Sequence, residues 1–229
     1  MILDVHLILD SIPRMLAGMG ITLQLLVLAS LLGLVLAIVL LLMRISGRWY
    51  LSLPAFIYVY FFRGTPILVQ IFVIYHGFPQ FEFIRASVFW PVLREPFGCA
   101  TLALTLNSAA YVSEILRGGY LGVDHGLHEA GMALGLSRRH RFFYVTTPIA
   151  IRLAIPAYSN DFISMLKATS LASTITLLDM TGVARTIVAQ TFAPYEIFIA
   201  TAIIYLVMTA IFQRGFGLFE KRMSRYIKV

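Results

Sequence analysis

Apolar residues fall in long uninterrupted blocks, without the alternation of a half-buried strand or the single stripe of a soluble amphipathic helix. No charged residue occurs from Met15 to Met43, and Ile21 to Met43 alone would form a helix of about 35 Å at 1.5 Å per residue, enough to cross a bilayer. Further blocks give spans at residues 49–78, 97–116, 147–166 and 195–213, after the first at 15–43. The second block is interrupted by Arg63-Gly64-Thr65-Pro66. Pro66 cannot donate to Phe62 and its ring crowds that turn, which predicts a kinked helix. Residues 168–191 are different: Leu171 to Leu178 is apolar but too short to span, and Asp179, Gly182 and Arg185 follow. A re-entrant or interfacial helix is expected there. The pattern predicts an all-α integral membrane protein with five transmembrane helices in a single domain over residues 1–229, without an internal repeat.

Composition agrees, since 59% of the 229 residues are hydrophobic and only 13% are charged, too little polar surface for a soluble chain. The net charge of +7 raises the question of a nucleic-acid partner, and position answers it. Arg44 and Arg48 follow the first span, Arg117, Arg138, Arg139, Arg141 and Arg152 surround the loop before the fourth, and Arg214, Lys221, Arg222, Arg225 and Lys228 follow the fifth. All twelve of these basic residues face the cytoplasm if the N-terminus lies outside and the C-terminus inside, so the charge reports topology and no nucleic acid is expected. The single cysteine, Cys99, allows no intrachain disulfide and is assigned to packing. The first apolar block is too long for the h-region of a signal peptide and lacks a basic n-region, so it is expected to be retained.

Between the third and fourth spans lies a polar insert, residues 118–146. Glu129 to Leu134 is a good helix-forming run, Gly135 suits a left-handed helix end, and Ser137 can cap a second helix, Arg138 to Tyr144, expected to stop near Pro148. Ala130, Ala133 and Leu134 would give the first helix a small apolar face. Two readings stay open from physics alone: a plug for a groove on another protein, or a capped loop lying on the membrane surface.

The chain carries no P-loop, and none of its three lysines follows a glycine, so it is not expected to bind ATP or to be an enzyme. His125 and His128 lie beside Glu129 with no further ligand nearby in sequence, and no metal site is expected. Polar residues inside the spans are the better lead. Asn160, Ser164 and Lys167 share one face of the fourth span, and Asn107, Tyr111 and Glu114 share one face of the third. Charges in lipid are costly, so Glu114, Asp161 and Lys167 should face the bundle interior, a cavity or the interface. Asp161 and Lys167 are six residues apart, off one common face, and need other partners. Arg63 sits at a Gly/Pro break beside Thr65, a further pathway candidate, and with a helix terminus and an acid such as Asp161 it could match the carboxylate and ammonium ends of an amino acid; pairing with an acid across a helix is its competing role. Hydrogen-bonded helix packing is the competing role for Asn107 and Tyr111. Two other functions fit these residues: an ion-gradient-driven secondary transporter or channel relaying charge through Glu114, Asp161 and Lys167, and a membrane scaffold whose loop only recruits a partner.

Glu129-Ala130-Gly131, Gly135, the basic stretch, Pro148 and Arg152 together resemble the cytoplasmic "EAA" loop of bacterial ABC importer permeases. Phe62-Arg63-Gly64-Thr65-Pro66 with Val69-Gln70, Leu104-Thr105-Leu106-Asn107 with Ala110-Tyr111 and Glu114, Pro156 to Asn160, and Lys167 to Leu171 resemble successive signatures of the polar amino acid branch. Over nearly the whole chain the sequence is similar to the M-type membrane subunits of histidine/lysine/arginine and opine (octopine, nopaline) systems. Gly131, where the family commonly has alanine, departs from the pattern and gives up about 1 kcal/mol of helix propensity. The resemblance implies the ABC type I importer permease fold in a bacterial inner membrane, with the N-terminus periplasmic. It implies a Q-type permease partner, two ATPase subunits holding ATP and Mg, and a periplasmic solute-binding protein. In the family this loop is the helix that docks in an ATPase groove, a role that falls here on Glu129, Ala130, Gly131, Gly135 and Pro148. Five spans also make a thin wall for a pathway, which calls for two membrane subunits face to face.

Overall fold

The computed structural model describes residues 4–223, and all regular structure among them is helical. Helix α1 (Val5–Ile45) starts where the Asp4 carboxylate accepts from the Leu7 amide at 3.1 Å, and the chain turns at Gly47, φ +71°. At 41 residues it is about 60 Å long, twice the hydrocarbon thickness, so Asp10 and Arg14 ride on it beyond the predicted 15–43 span. Arg14 ties this extension to a later helix by donating to Gln190 at 2.7 Å.

The second block divides into α2 (Trp49–Gly64) and α3 (Ile67–Phe72), the latter running on through a π-helical turn, Val73–Gly77. The two halves meet at 103°, so the expected kink is a complete break. Thr65 is extended at φ −112°, ψ 143°, because a residue before proline is pushed out of the helical region, and side chains from elsewhere replace the lost backbone bonds. Helix α4 (Pro96–Leu121) is five residues longer at its C-terminal end than the predicted 97–116 span, so the polar insert is shorter than residues 118–146 and is itself mostly helical. Within it α5 spans His125–Ala133.

A turn at Arg138–His140 and a π-helical segment at Arg141–Thr146 lead without interruption into α6 (Thr147–Ala168). No stop occurs at Pro148, contrary to expectation. The proline occupies the first turn after a widened helix, where its missing N–H is tolerated and its fixed φ is already helical. A 3₁₀ stretch, Thr169–Ile175, then connects to α7 (Met180–Thr191), followed by α8 (Pro194–Met223).

Helix α7 is also placed differently from an interfacial helix. Met180, Ala184 and Ile187 are fully buried, and Asp179 caps the helix by accepting from the Gly182 and Thr181 amides at 3.0 and 3.2 Å. Thr22 of α1 accepts from the Met180 amide at 3.1 Å, and a Cβ on Gly18 would lie 2.8 Å from the Asp179 backbone. Segment 168–191 therefore belongs to the core, because an acid and a capped helix end can be buried once every backbone group is satisfied.

Leu25, Leu26 and Ala29 of α1, Ala100, Ala103 and Leu104 of α4, Leu166 of α6 and Ile197 of α8 fill that same core. Small residues set the close approaches: a Cβ on Gly33 would lie 2.9 Å from Ser108 Oγ, and one on Gly119 only 2.4 Å from the Ala150 carbonyl. Outward-facing residues such as Val35, Leu206 and Ile211 are large, apolar and exposed, the surface that lipid covers. Three helices are long and apolar enough to cross a membrane alone, and two bent pairs, Trp49–Gly64 with Ile67–Gln80 and Arg138–Ile175 with Met180–Thr191, raise the number to five if each pair is one crossing.

Candidate functional site

Pro66 frees backbone carbonyls in the middle of an apolar block, and two side-chain amides take them up. Gln70 Nε2 donates to the Phe62 carbonyl at 2.9 Å, the Thr65 carbonyl at 3.1 Å and Thr65 Oγ1 at 2.8 Å, three acceptors shared between two N–H groups. Asn107 of α4 donates to the Phe62 carbonyl at 3.2 Å and to Gln70 Oε1 at 3.1 Å. The break is thus held open by a polar brace in which Asn107 has the packing role weighed for it. Replacing Gln70 with leucine leaves the Thr65 carbonyl without its side-chain donor and one Asn107 N–H without its acceptor, and should cost about 2 kcal/mol, read as a lowered melting temperature of the detergent-solubilised protein; an unchanged value would show the brace to be dispensable.

Beside the break lies an open cleft of about 500 Å³. Eight polar residues were expected along a pathway, and six of them, Arg63, Thr65, Asn107, Tyr111, Asp161 and Ser164, line this one cleft. Asn160 and Lys167 do not contribute to its walls; both are exposed on α6. The Arg63 guanidinium lies 5.1 Å over the Tyr111 ring, which orients it without neutralising it. Among the described residues neither Arg63 nor Asp161 has an oppositely charged partner within 4.0 Å. The cleft therefore presents one uncompensated cation and one uncompensated carboxylate, together with the Thr65 hydroxyl and the Tyr111 phenol.

Glu114 is held elsewhere. Arg117 donates to it through Nε at 2.8 Å and Nη2 at 2.7 Å, and Arg44 Nη2 lies 3.5 Å away. Two arginines clamp this acid between the end of α1 and α4, so Glu114, Asp161 and Lys167 do not assemble as a relay. Among the described residues no three His, Cys, Asp or Glu side chains converge as metal ligands.

The polar insert has its own geometry. Asp124 caps α5 by accepting from the Gly126 amide at 2.6 Å. The helix ends as its residues demand: Gly135 adopts φ +72°, the Leu136 amide donates to the Gly131 carbonyl at 3.0 Å, and Gly135 donates to the Met132 carbonyl at 2.9 Å. Ser137 then accepts from the His140 amide at 3.3 Å and starts the next turn. Ala130, Ala133 and Leu134 are exposed on α5, as is Glu129, while Gly131 is buried. A Cβ on Gly131 would sit 3.1 Å from the Arg141 stem, and Arg141 donates to the His128 carbonyl at 3.4 Å. Glycine at this position is what lets that arginine strap α5 to the segment leading into α6. Pro148 sits in the first turn of α6 rather than in the insert.

Gln70 and Arg141 were missed as site residues. A polar amide four residues beyond Pro66, inside an apolar block, was the available signal for the first; the second carried none beyond its charge.

A family model of the binding-protein-dependent transport system inner membrane component matches residues 29–225. The chain belongs to this family. The permease is 47% identical over 211 residues to the octopine transport system permease protein OccM of Rhizobium meliloti, covering 92% of this chain and 86% of that one. It is 39% identical over 212 residues to the histidine/lysine/arginine/ornithine transport system permease protein HisM of Escherichia coli K12, covering 92% and 89%. Among solved structures it superposes on a chain of an amino acid ABC transporter crystallised with histidines, with a TM-score of 0.87 at 36% identity over 97% of this permease and 100% of that chain. The fold is accordingly that of ABC importer permeases, and the protein is a multi-pass membrane component of such a transporter.

Proposed function

We propose that this permease is the M-type membrane subunit of an ATP-driven importer for opines or basic amino acids, with its N-terminus periplasmic and its C-terminus cytoplasmic. It forms one wall of the pathway opposite a Q-type subunit. A solute-binding protein delivers substrate from the periplasm, and of the two ATPase subunits in the assembly one engages the His125–Ala133 helix from the cytoplasm. The observation that carries this reading is the cleft, whose Arg63 and Asp161, without an opposite charge within 4.0 Å among the described residues, match the carboxylate and ammonium shared by octopine, nopaline, histidine, lysine and arginine. The exposed apolar face of α5, braced from behind by Arg141, supports the docking role. Glu129 and Ala130 of this helix, with Gly135 at the turn after it, form the contact; Gly131 serves it from behind as the seat of the Arg141 strap, and Pro148 starts the helix that receives the motion.

The test is uptake of octopine and of arginine into vesicles reconstituted with all partner subunits. ATP inside the assembly should drive accumulation of at least one of them. Flux driven by an ion gradient through this chain alone would overturn the assignment in favour of a secondary transporter.

A further inference from the structure

A second cavity lies where the polar insert meets the bundle. It is a cleft of about 590 Å³ whose polar wall is made by His128, Arg138, Arg139 and Arg141, and no acidic residue lines it. Two polar groups at this cleft lack any hydrogen-bond partner although buried: Arg141 Nε and the hydroxyl of Thr146, a residue only 1% exposed. Native structures rarely leave such groups unmatched, and here they belong to residues that form the wall of a cationic cleft.

The same cleft opens onto a groove of about 560 Å³. Leu42, Tyr120, Phe142 and Phe143 line both. The groove walls are almost wholly apolar, with Leu34 and Ile38 from α1, Ile151 and Ile155 from α6, and Phe216 and Phe219 from α8. From Leu34 to Leu42 the α1 wall rises about 12 Å, close to the depth of one leaflet's hydrocarbon. A polar amino acid has no use for this groove, and a nucleotide has no use for its tail. One kind of molecule carries a phosphate and an aliphatic chain in this order and is present at this depth.

We propose that cleft and groove form one binding site for an anionic phospholipid of the surrounding bilayer, its phosphate on Arg138 and Arg139 and an acyl chain between α1 and α6. Arg141 and Thr146 form the floor under the headgroup. Basic pockets at the cytoplasmic ends of membrane helices are suited to such headgroups, since each arginine near the surface adds attraction for anionic lipid. The proposal rests on the membrane placement of the family and not on the transported substrate.

The test uses the assembled transporter purified in mild detergent, exposed to equal amounts of phosphatidylglycerol and phosphatidylcholine, with bound lipid counted by native mass spectrometry. Phosphatidylglycerol should be retained about tenfold over phosphatidylcholine. The Arg138→Gln/Arg139→Gln variant should lose that preference, and Ile151→Trp, at an exposed groove position, should lower retention of both lipids. Equal retention by the unmodified protein would overturn the site, as would a preference unchanged in the double variant. If that variant instead releases the ATPase subunits while keeping its phosphatidylglycerol preference, the two arginines are ATPase contacts and the lipid assignment falls. ATP-driven uptake measured alongside reads the transport assignment separately, so either can fail alone.

Discussion

Arg63→Ala is expected to cut ATP-driven uptake by about ten- to a hundredfold while the ATPase subunits still co-purify, which corresponds to losing a charge-assisted hydrogen bond worth about 1.5–3 kcal/mol. The guanidinium is exposed to the cleft, stacked on Tyr111 and free of any acid within 4.0 Å among the described residues, and Glu114 keeps Arg117 and Arg44 when it is removed. The melting temperature should hardly change, as for surface substitutions generally. Arg63→Lys should recover part of the uptake, since a point charge remains but the planar fork that pairs with a carboxylate is lost. Uptake by the alanine variant equal to that of the unmodified protein would remove Arg63 from the pathway and leave it a role in helix packing.

Gly135→Asp should release the ATPase subunits during purification and abolish most transport, with folding of the permease nearly intact. The left-handed φ of +72° costs a non-glycine residue about 1–2 kcal/mol, least for Asn and Asp, and a Cβ there meets nothing within 4 Å. Within the chain the change is therefore mild. Next to the exposed Ala133 and Leu134, however, it sets a negative charge inside a small apolar contact, where disrupting one central residue costs about 2 kcal/mol or more of binding. Gly135→Asn adds similar bulk without charge and should retain more ATPase. Full co-purification with normal uptake in the aspartate variant would show that this end of α5 touches no partner.

How much of this was visible beforehand depended on the range over which each feature is decided. The apolar blocks were legible because lipid requires continuous apolar surface, a local property of sequence. The Arg63 to Pro66 break was legible in place but not in size. Pro66 announces a lost hydrogen bond, whereas the 103° bend depends on Gln70 and on Asn107, 37 residues from Gln70 and on another helix. Segment 168–191 was legible as a bent, non-spanning piece, but the short apolar run Leu171 to Leu178 reads alike in an interface and in a core, so the interfacial alternative fell only to the structure. Thr22, 158 residues from Met180, and Gly18 decide the matter. Periodicity put Asn160, Ser164 and Lys167 on one face, yet only Ser164 lines the cleft, since spacing defines a face without saying what it faces. Pro148 was read as a terminator because the π-helical turn ahead of it leaves no clear trace in composition.

That turn has a mechanical corollary. Through it, residues 138–168 form one unbroken arm, tied back to α5 across the Gly135 turn by the Arg141 strap and set against α4 at the Gly119 contact with Ala150. Asp161 sits 14 residues beyond Thr147, about 21 Å along the shaft, so a tilt of about 10° at the near end swings its carboxylate by about 4 Å. A displacement of that size is enough to break a hydrogen bond to a small cargo.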